Sequence, residues 1–572
     1  MDRLARLRYL VVIAQLCLVA RLVHLQLIGG AHYRALAEQN RLRLVPELPP
    51  RGLILDRNGR SIAGSQTVFR VAIVPQELED LQAVLTYVGA VVQRPVESLR
   101  KEYAKEQSLA FLPATIVQRV PKDLAIRMEE ERWRYPGLLV RPETVRAYPL
   151  NTGAAHLLGY LSQPTAEEVP LLKQYGVRPK QLVGRMGLER LLDHALQGRS
   201  GGVMVEINHR ARQVRVLGRR ASESGARVAL TIDGQLSSLI QAAFGSQAGA
   251  AVVLDPETGA ILAMTSSPSF PPEAFATAEN TAIRRLLNDP QSPLMNRAAV
   301  AGYQPGSIMK LVTAAAALEQ HVVTPATVIN CPGSLTIGDR TIHCWNRDGH
   351  GPVALRDAIT QSCNVYFMQL ARRVRWDRLR AAQEQIGLAH RTGWPMEEHS
   401  GHLPRRRLSE GEVALMGIGQ GEILVTPLQA AVLAGAFANG GWIVEPWIVQ
   451  TVGGRTVPRR ASRRRVGWSA ATLDTVRTGM RAVVTDPAGT GRRALSSVVT
   501  VAGKTGTAQT NLEGQNHGWF VGYCPVDAPK GAFAIIAEYG GSGGDVPADI
   551  ARTVCEYLAL PGEDHVKLAT GR

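Results

Sequence analysis

The chain contains 572 residues, 45% hydrophobic and 20% charged, which is typical of globular domains and too long for a single compact one. Its 65 basic against 49 acidic residues give a net charge of +16, which favours an anionic neighbour such as lipid headgroups or an envelope polymer; solvated arginines on exposed loops explain the same excess. No zinc-finger spacing, aromatic RNA-binding strand or recognition-helix pattern stands out, so we predict no nucleic-acid partner.

An apolar segment follows the basic N-terminus. Residues 1–8 contain three arginines, and residues 9–28 are mainly apolar but include Arg21. A helix of this length crosses a hydrocarbon core about 30 Å thick if Arg21 lies near the interface. A cleaved signal peptide is the alternative, but we find no convincing small-residue cleavage site. We therefore predict a single-pass anchor at 9–28 in the cytoplasmic membrane, a cytoplasmic tail at 1–8, and the rest of the chain on the periplasmic or extracellular side.

The rest of the chain divides into a stalk, two domains and a tail. Residues 29–48 are polar and predict a stalk. Residues 49–226 mix alternating strands with helical stretches and contain no pattern typical of catalysis, so we interpret them as a pedestal, a spacer or docking domain. Residues 227–560 predict a second α+β domain, an antiparallel sheet covered by helices. Residues 561–572 form the C-terminal tail.

The order of elements within 227–560 carries that fold prediction. A hairpin comes early, the middle is helical, and strands return late before a closing amphipathic helix. The predicted elements are a helix at 235–244, strands at 250–254, 260–264, 499–503, 518–523 and 532–539, and a last helix at 549–558.

Ser307 and Lys310 begin the alanine-rich stretch that follows Pro305 and Gly306. The break followed by an apolar run predicts a helix that starts near Ser307. Residues three apart share a helix face, so a hydroxyl and an amine should lie together at its first turn. This pairing is typical of an activated serine nucleophile. A serine N-cap without catalytic function is the simpler interpretation of this motif alone.

Two further motifs follow in the same domain. Ser362-Cys363-Asn364 links two helical stretches, and Lys504-Thr505-Gly506-Thr507 extends a strand. Each alone is an ordinary turn or strand end. All three in this order are poorly explained by chance.

The three motifs resemble those of the penicillin-recognising serine transferases, and among them the class B penicillin-binding proteins. Residues 51–59 and 187–189 are similar to that family's pedestal, and residues 296–298, 302–310, 419–421 and 503–509 are similar to its transpeptidase domain. Residues 344–345, 349–351 and 518–522 are similar to its elongation-type members. Within the family, the chain is most similar to the elongation-type group of penicillin-binding protein 2. Asn364 departs from that group, many members of which have aspartate there, so a division-type enzyme stays an alternative.

The resemblance implies a peptidoglycan D,D-transpeptidase that β-lactams inhibit covalently. Ser307 would attack the D-Ala-D-Ala bond of a stem peptide and release the terminal D-Ala, and an amine of a second stem peptide would then attack the acyl-enzyme. Lys310 would be the base, Ser362 a proton relay, and Asn364 a ligand of Lys310 and of the substrate amide. Thr505, Gly506 and Thr507 would bind the peptide as an added strand.

The two lysines pose an electrostatic requirement. An ordinary lysine is protonated at neutral pH, so Lys310 is a base only if its pKa is lowered, and burial or a second cation does this. We expect Lys504 to be that cation. Two charges 4 Å apart repel by about 4 kcal/mol at an effective dielectric of 20. This repulsion is enough to lower the pKa of Lys310 to near neutral pH without burial.

Two of the six cysteines lie with a histidine between the first two motifs, and a third is the middle residue of the second motif. Three thiolates and one imidazole form a tetrahedral zinc set, and this predicts a structural zinc site that braces the second motif. A Cys331–Cys344 disulfide is one alternative, since an oxidising compartment permits it, and free thiols are another. Cys524 and Cys555 are predicted to be core residues. We expect no cofactor for catalysis itself. The predicted zinc ligands are Cys331, Cys344, His350 and Cys363.

Other functions compete with cross-linking. A β-lactamase or D,D-carboxypeptidase would pass the acyl group to water, but no suitably placed Glu-x-x-x-Asn motif is evident and a soluble hydrolase needs no pedestal. A penicillin sensor would need a cytoplasmic signalling part, and an inactive scaffold would not need all three motifs. The chain has no glycan-polymerising domain, so the resemblance implies a SEDS-type glycan polymerase and elongation-complex membrane proteins as partners.

Overall fold

The computed structural model describes residues 3–33, 42–109, 111–165, 167–170, 181–208, 213–277, 279–459, 462–510 and 515–560. The predicted tail at 561–572 and part of the predicted stalk, residues 34–41, lie outside these ranges. The chain forms two compact units: unit 1 contains Met1–Gly52, Ser65–Arg146 and Gln197–Gly225, and unit 2 contains Leu53–Gly64, Ala147–Leu196 and Ala226–Arg572. The domain limits predicted from the sequence stay a prediction.

One helix begins the described chain. It runs from Arg3 to Val23 and continues as a π-helical turn over His24–Ile28. Its segment Leu7–Ile28, 22 residues long, is the one stretch among the described residues that is both long and apolar enough to cross a membrane. At 1.5 Å per residue it spans about 33 Å, the thickness of a hydrocarbon core.

Besides the N-terminal helix, the described residues of unit 1 form three α-helices and strands of two sheets. Its first sheet has three strands in the order Leu42–Glu47, Gly201–Ile207, Gln213–Arg220. In its second sheet the strand Ser61–Ile73, from Ser65 onward, pairs with Ala114–Val120 and with Leu138–Ala147. The helices Leu81–Val92, Val96–Glu106 and Lys122–Glu130 contribute apolar side chains to the core of this second sheet.

Unit 2 is built on a five-stranded antiparallel sheet. Its strands are β1 (Gly249–Leu254), β2 (Ile261–Ser267), β3 (Ala502–Ala508), β4 (His517–Cys524) and β5 (Gly531–Ala537), and their order is β2-β1-β5-β4-β3. Along β1, Val252 and Leu254 join one apolar cluster, whereas Ala251 and Val253 join another. Both faces of the sheet are therefore buried.

Helices cover each face of this sheet. The helix Pro427–Ala438, all of whose residues are buried, packs on one face against β5. Gly234–Phe244 and Val546–Ala559 pack on the other face. The remaining α-helices of 226–560 are Glu273–Ala276, Asn280–Asn288, Lys310–Glu319, Leu355–Thr360, Asn364–Val374, Trp376–Gln385, Glu410–Gly417 and Ala470–Thr485. The predicted fold class, an antiparallel sheet covered by helices, is confirmed.

Smaller elements complete unit 2. The helices Ala155–Leu158 and Gly187–Leu191 belong to it, and Val228–Leu230 pairs with both Ile54–Leu55 and Val449–Val452. The two-stranded pairs are Leu161–Ser162 with Val183–Gly184, Ile329–Cys331 with Gly351–Val353, Ser334–Ile337 with Arg340–His343, and Trp442–Val444 with Arg463–Arg465.

Three details differ from the sequence predictions. The strand predicted at 499–503 lies at 502–508, because Val499 and Val501 pack into the core before strand pairing begins. The helix predicted from Ser307 starts as a 3₁₀ turn, Gly306–Met309, and becomes α-helical at Lys310. Cys524 and Cys555 are buried as predicted, but they form a disulfide that joins β4 to the last helix.

Candidate active site

The turn that carries Ser307 is held against strand β3. Gly306 has φ +55°, and a Cβ there would lie 2.5 Å from the carbonyl oxygen of Thr507. Only glycine accepts both the left-handed backbone and so close an approach. The Gly306 amide donates to the carbonyl of Gly419 at 2.9 Å. Ser307 is left half-buried at the start of the helix.

Lys310 is the first residue of the buried helix Lys310–Glu319. Small side chains allow neighbouring elements to approach this helix closely, and four consecutive alanines, residues 314–317, are buried. The Thr313 hydroxyl donates to the carbonyl of Gly417 at 2.8 Å and so joins the helix to its neighbour Glu410–Gly417. The position of Lys310 is therefore set by core packing.

Ser362 lies in a tight connection between two helices, Leu355–Thr360 and Asn364–Val374. Its φ of +55° is rare for a residue with a side chain. Such a conformation costs about 1–3 kcal/mol and is typical of functional sites. It presents both the carbonyl and the hydroxyl of Ser362 to Lys310, whose Nζ donates to them at 2.8 and 3.2 Å. Lys310 Nζ also donates to Oδ1 of Asn364 at 2.6 Å.

Lys504 approaches the same hydroxyl from strand β3. Its Nζ donates to Oγ of Ser362 at 2.8 Å and to the carbonyl of Thr505 at 2.9 Å. Oγ of Ser362 therefore accepts hydrogen bonds from both lysines, which uses the two lone pairs of a hydroxyl and leaves its own proton free to be donated. The structure thus brings together Lys310, Ser362, Asn364 and Lys504 as predicted, at the turn that carries Ser307.

Burial, more than charge repulsion, lowers the pKa of Lys310. Removal from water lowers its pKa to about 8, and the nearby thiols of Cys363 and Cys344 oppose that change. Burial also lowers the pKa of Lys504 well below its ordinary value, and the charge of Lys310 adds to the effect. From the sequence we expected the charge of Lys504 to lower the pKa of Lys310. Both amines lie in the core, however, and their burial is the larger cause of the lowered pKa values.

The substrate-binding segment predicted on β3 is fixed by contacts the sequence analysis did not assign. Oγ1 of Thr505 shares a 2.6 Å hydrogen bond with Oγ1 of Thr490. The Gln420 side chain donates to the carbonyl of Thr507 at 3.2 Å. A Cβ at Gly506 would lie 3.0–3.1 Å from Trp519, Ile308 and Pro305. Gly419-Gln420-Gly421 was part of the family resemblance, and this could have indicated Gln420; no comparable sequence signal existed for Thr490.

A buried ionic network lies near the same turn. Arg297 pairs with Glu538 at 3.1 Å, and the Tyr303 hydroxyl donates to Glu538 at 2.6 Å. Burial and the negative charge of Glu538 raise the pKa of Tyr303. Tyr303 stands four residues before Ser307, so the network fixes the chain that enters the turn.

The predicted zinc ligands converge in space. The ligand atoms of Cys331, Cys344, His350 and Cys363 all lie within 4.8 Å of one another, and none of the three cysteines forms a disulfide. Sγ of Cys331 and Sγ of Cys344 are each 3.5 Å from Nδ1 of His350. Tetrahedral zinc with ordinary bond lengths would separate sulfur and nitrogen ligands by about 3.6 Å. The donor set and its spacing therefore fit zinc.

The cluster is joined directly to the second motif. The backbone N–H of Asn364 donates to Sγ of Cys344 at 3.4 Å, and the backbone N–H of Tyr366 donates to Sγ of Cys363 at 3.5 Å. A hydrogen bond from the Cys363 thiol lowers the pKa of Cys344 to about 4 and raises that of Cys363. A thiolate is the form of cysteine that binds metal. Trp345, though exposed, donates its indole N–H to the carbonyl of Gln361 at 2.8 Å.

Two family models match the chain. Residues 249–556 match the "Penicillin binding protein transpeptidase domain", and residues 46–230 match the "Penicillin-binding Protein dimerisation domain".

Relatives match over almost the whole length. The chain is 32% identical to the peptidoglycan D,D-transpeptidase MrdA of Haemophilus influenzae, over 94% of this chain and 89% of that protein. It is 29% identical to MrdA of Escherichia coli K12, over 96% and 93%.

Solved structures agree with this similarity. The complex of penicillin-binding protein PBP2 with MreC from Helicobacter pylori matches with a TM-score of 0.75 and 26% identity, covering 91% of this chain and 99% of that one. A structure described as coordination of polymerization and crosslinking by a peptidoglycan synthase complex matches with a TM-score of 0.74 and 30% identity, covering 98% and 99%.

Proposed function

Because this chain belongs to the penicillin-binding proteins, with a dimerisation and a transpeptidase domain, we propose that it is a serine-type peptidoglycan D,D-transpeptidase that cross-links stem peptides during cell-wall elongation. Relatives of nearly equal length bear the name of that activity. The observation that carries the proposal is the Ser362 hydroxyl, which accepts from both Lys310 and Lys504 next to the turn of Ser307.

The first half-reaction forms an ester on Ser307. Neutral Lys310 accepts the hydroxyl proton while Oγ attacks the carbonyl of the penultimate D-Ala. The tetrahedral intermediate then collapses, the peptide bond breaks, and the released D-Ala amine takes a proton that passes from Lys310 through Ser362. Backbone amides of Ser307 and Thr507 stabilise the oxyanion.

The second half-reaction transfers the acyl group to an amine. The amine of a second stem peptide attacks the ester, and its proton passes through Ser362 to Lys310. Ser307 Oγ leaves as the new peptide bond forms, and it recovers its proton from Lys310. A β-lactam enters the first step only, and its ring-opened acyl group stays on Ser307.

Asn364 has two duties in this scheme. Its Oδ1 holds the Lys310 amine at 2.6 Å. Its Nδ2 donates to the carbonyl of His343 at 3.4 Å, and its second N–H would donate to the carbonyl of the substrate amide. Asparagine and aspartate share the oxygen that binds Lys310, so Asn364 is compatible with an elongation-type enzyme even though many such members have aspartate.

Zinc is proposed as a structural ion held by Cys331, Cys344, His350 and Cys363, whose spacing fits it. It would supply no reacting group; when bound it would fix the segment that carries Ser362. Metal analysis of the purified protein tests this, with Cys344→Ser as the variant. One bound zinc, lost in the variant, is expected; a Cys331–Cys344 disulfide without metal would reject the proposal.

The single N-terminal helix fits a membrane anchor, and we infer that the residues before it are cytoplasmic and unit 2 is outside. The MreC complex of the Helicobacter pylori relative and the synthase complex support partners of two kinds, elongation-complex proteins and a SEDS-type glycan polymerase. Co-purification from membranes would test them: elongation proteins are expected, and recovery of division proteins alone would favour the division-type alternative.

Labelling with a fluorescent penicillin tests the activity itself. Stable labelling of the full-length protein, absent in Ser307→Ala, is expected. Rapid loss of label would indicate a β-lactamase, and no labelling would indicate an inactive scaffold. A cross-linking assay with stem-peptide substrates then separates transfer to an amine from hydrolysis by a carboxypeptidase.

A further inference from the structure

An arginine-rich ribbon lies in unit 2 on elements that carry none of the three motifs. Its strands Trp442–Val444 and Arg463–Arg465 pair in antiparallel register, with Trp442 opposite Arg465 and Val444 opposite Arg463. The segment 442–465 contains six arginines and one carboxylate, Glu445. The described arginines of this ribbon are Arg455, Arg459, Arg463, Arg464 and Arg465, all exposed.

Two tryptophans hold ribbon guanidinium groups in place. Arg463 lies over the ring of Trp442 at 4.5 Å, and Arg465 lies over the same ring at 6.0 Å. Arg459 lies over the ring of Trp447 at 4.5 Å. A guanidinium stacked on an indole keeps its N–H groups at the edge, where they can donate to a planar anion.

The ribbon arginines form no salt bridges within the described part of the chain. None of the five forms an ion pair with a carboxylate of the described residues, whereas the exposed Arg356 and Arg406 and the half-buried Arg372 each do. Arg459 and Arg464 donate instead to backbone carbonyls, of Thr258 and Gln385. The carboxylates of Glu445 and Asp255 act on Arg459 from a distance, so the positive charge of the ribbon is compensated locally only in part.

We propose that the ribbon is a binding surface for the carboxylates of uncross-linked peptidoglycan, separate from the site of Ser307. The identity of the polymer rests on the proposed function, which brings that polymer to the same compact unit. Guanidinium edges match carboxylates in a two-point geometry. Arg463 and Arg465 share one strand face about 6.6 Å apart, so they can hold successive carboxylates of an extended peptide.

An anionic membrane surface fits the ribbon less well. Basic surfaces that enter a bilayer interface carry exposed apolar or aromatic side chains beside the charges. In the described part of 442–465, Val457 is the single large hydrophobic residue that is exposed. The two tryptophans are covered by the arginines that stack on them. A flexible anionic polymer needs no such insertion.

Co-sedimentation with purified peptidoglycan tests the proposal. Full-length protein in detergent is first acylated with penicillin, so that Ser307 cannot bind peptide. The test variant is Arg459→Gln/Arg463→Gln/Arg465→Gln, and the matched control Arg356→Gln/Arg372→Gln/Arg406→Gln removes the same charge from ion-paired sites. Loss of three exposed charge pairs between arginines and the polymer corresponds to a loss of about 10-fold in affinity. We expect this loss at low salt in the test variant, and not in the control variant.

Two further arms keep the result decisive if the test variant misfolds. Amidation of the peptidoglycan carboxylates should abolish binding of the unmodified protein. Vesicles of anionic phospholipid should not compete with peptidoglycan. Equal binding by both variants, equal loss in both, undiminished binding to amidated polymer, or competition by vesicles would each overturn the proposal. Penicillin labelling tests the proposed transpeptidase function separately. A negative result for the ribbon therefore does not count against the proposed function, and a negative labelling result does not count against peptidoglycan binding by the ribbon.

Discussion

Replacement of Ser362 by glycine isolates the proton relay. The change removes the hydroxyl that accepts from Lys310 at 3.2 Å and from Lys504 at 2.8 Å. It leaves Lys310 two acceptors, the carbonyl of residue 362 and Oδ1 of Asn364. Glycine also adopts φ +55° without strain, so the backbone at the second motif should not move.

The expected loss lies in rate more than in stability. A positioned proton-transfer group contributes about 10²–10⁴-fold, or about 3–5 kcal/mol of barrier. Glycine has no steric penalty in the left-handed conformation, so the change should add about 1 kcal/mol to the free energy of unfolding. This gain offsets part of the stability lost with the hydrogen bonds. The second-order rate of acylation by a fluorescent penicillin should fall by that factor in Ser362→Gly, with a melting temperature near that of the unmodified protein.

Ser362→Ala supplies the control for backbone strain. Alanine lacks the hydroxyl as glycine does, but it keeps the steric penalty of the left-handed conformation. Equal loss of acylation in both variants assigns the effect to the hydroxyl. If Ser362→Gly acylates within threefold of the unmodified protein, the relay assigned to Ser362 is wrong.

Three more predictions concern the lysine pair, the turn and the disulfide. Because burial lowers the pKa of Lys310 to about 8 and the neutral amine is the base, the acylation rate should rise about tenfold per pH unit below 8 and level above it; a flat profile from pH 6 to 9 would contradict this. Gly306→Ala places a Cβ 2.5 Å from the carbonyl of Thr507 at a left-handed residue, so it should cost about 1–2 kcal/mol of unfolding free energy and reduce acylation, which denaturant titration and penicillin labelling would measure; unchanged acylation would show that the turn tolerates the shift. Cys555→Ser opens a loop of 31 residues and should lower the unfolding free energy by about 3–4 kcal/mol, whereas an unchanged denaturation midpoint would show that packing of the last helix suffices without the disulfide.

The sheet and its motifs were predictable because they depend on local patterns. The hairpin of β1 and β2 follows from two apolar runs joined by Asp255-Pro256-Glu257-Thr258-Gly259, and the helix after Ser307 follows from its alanines. The family assignment is confirmed by the domain matches and the relatives. These inferences need only neighbours in the chain or motifs in a fixed order.

Long-range partners were not predictable in the same way. No spacing indicates that Cys524 and Cys555 form a disulfide, or that Arg297 and Glu538 form an ion pair, because each pair depends on the packing of elements far apart in sequence. The left-handed backbone of Ser362, in the connection between two helices, is not indicated by the local sequence pattern either. The cause of the lowered Lys310 pKa also escaped sequence reasoning, since burial is a property of the assembled core.

Strand β3 lies at an edge of its sheet, with β4 as its single strand neighbour among the described elements. An open edge is ordinarily a hazard, because its unpaired amides and carbonyls invite any extended chain to add itself and start aggregation. In this protein the edge strand also carries the third motif, Lys504 to Thr507. The same backbone groups that a soluble protein must hide would here select a substrate by its extended form, whatever its side chains, and attack by Ser307 would then turn strand addition into a covalent reaction in place of aggregation.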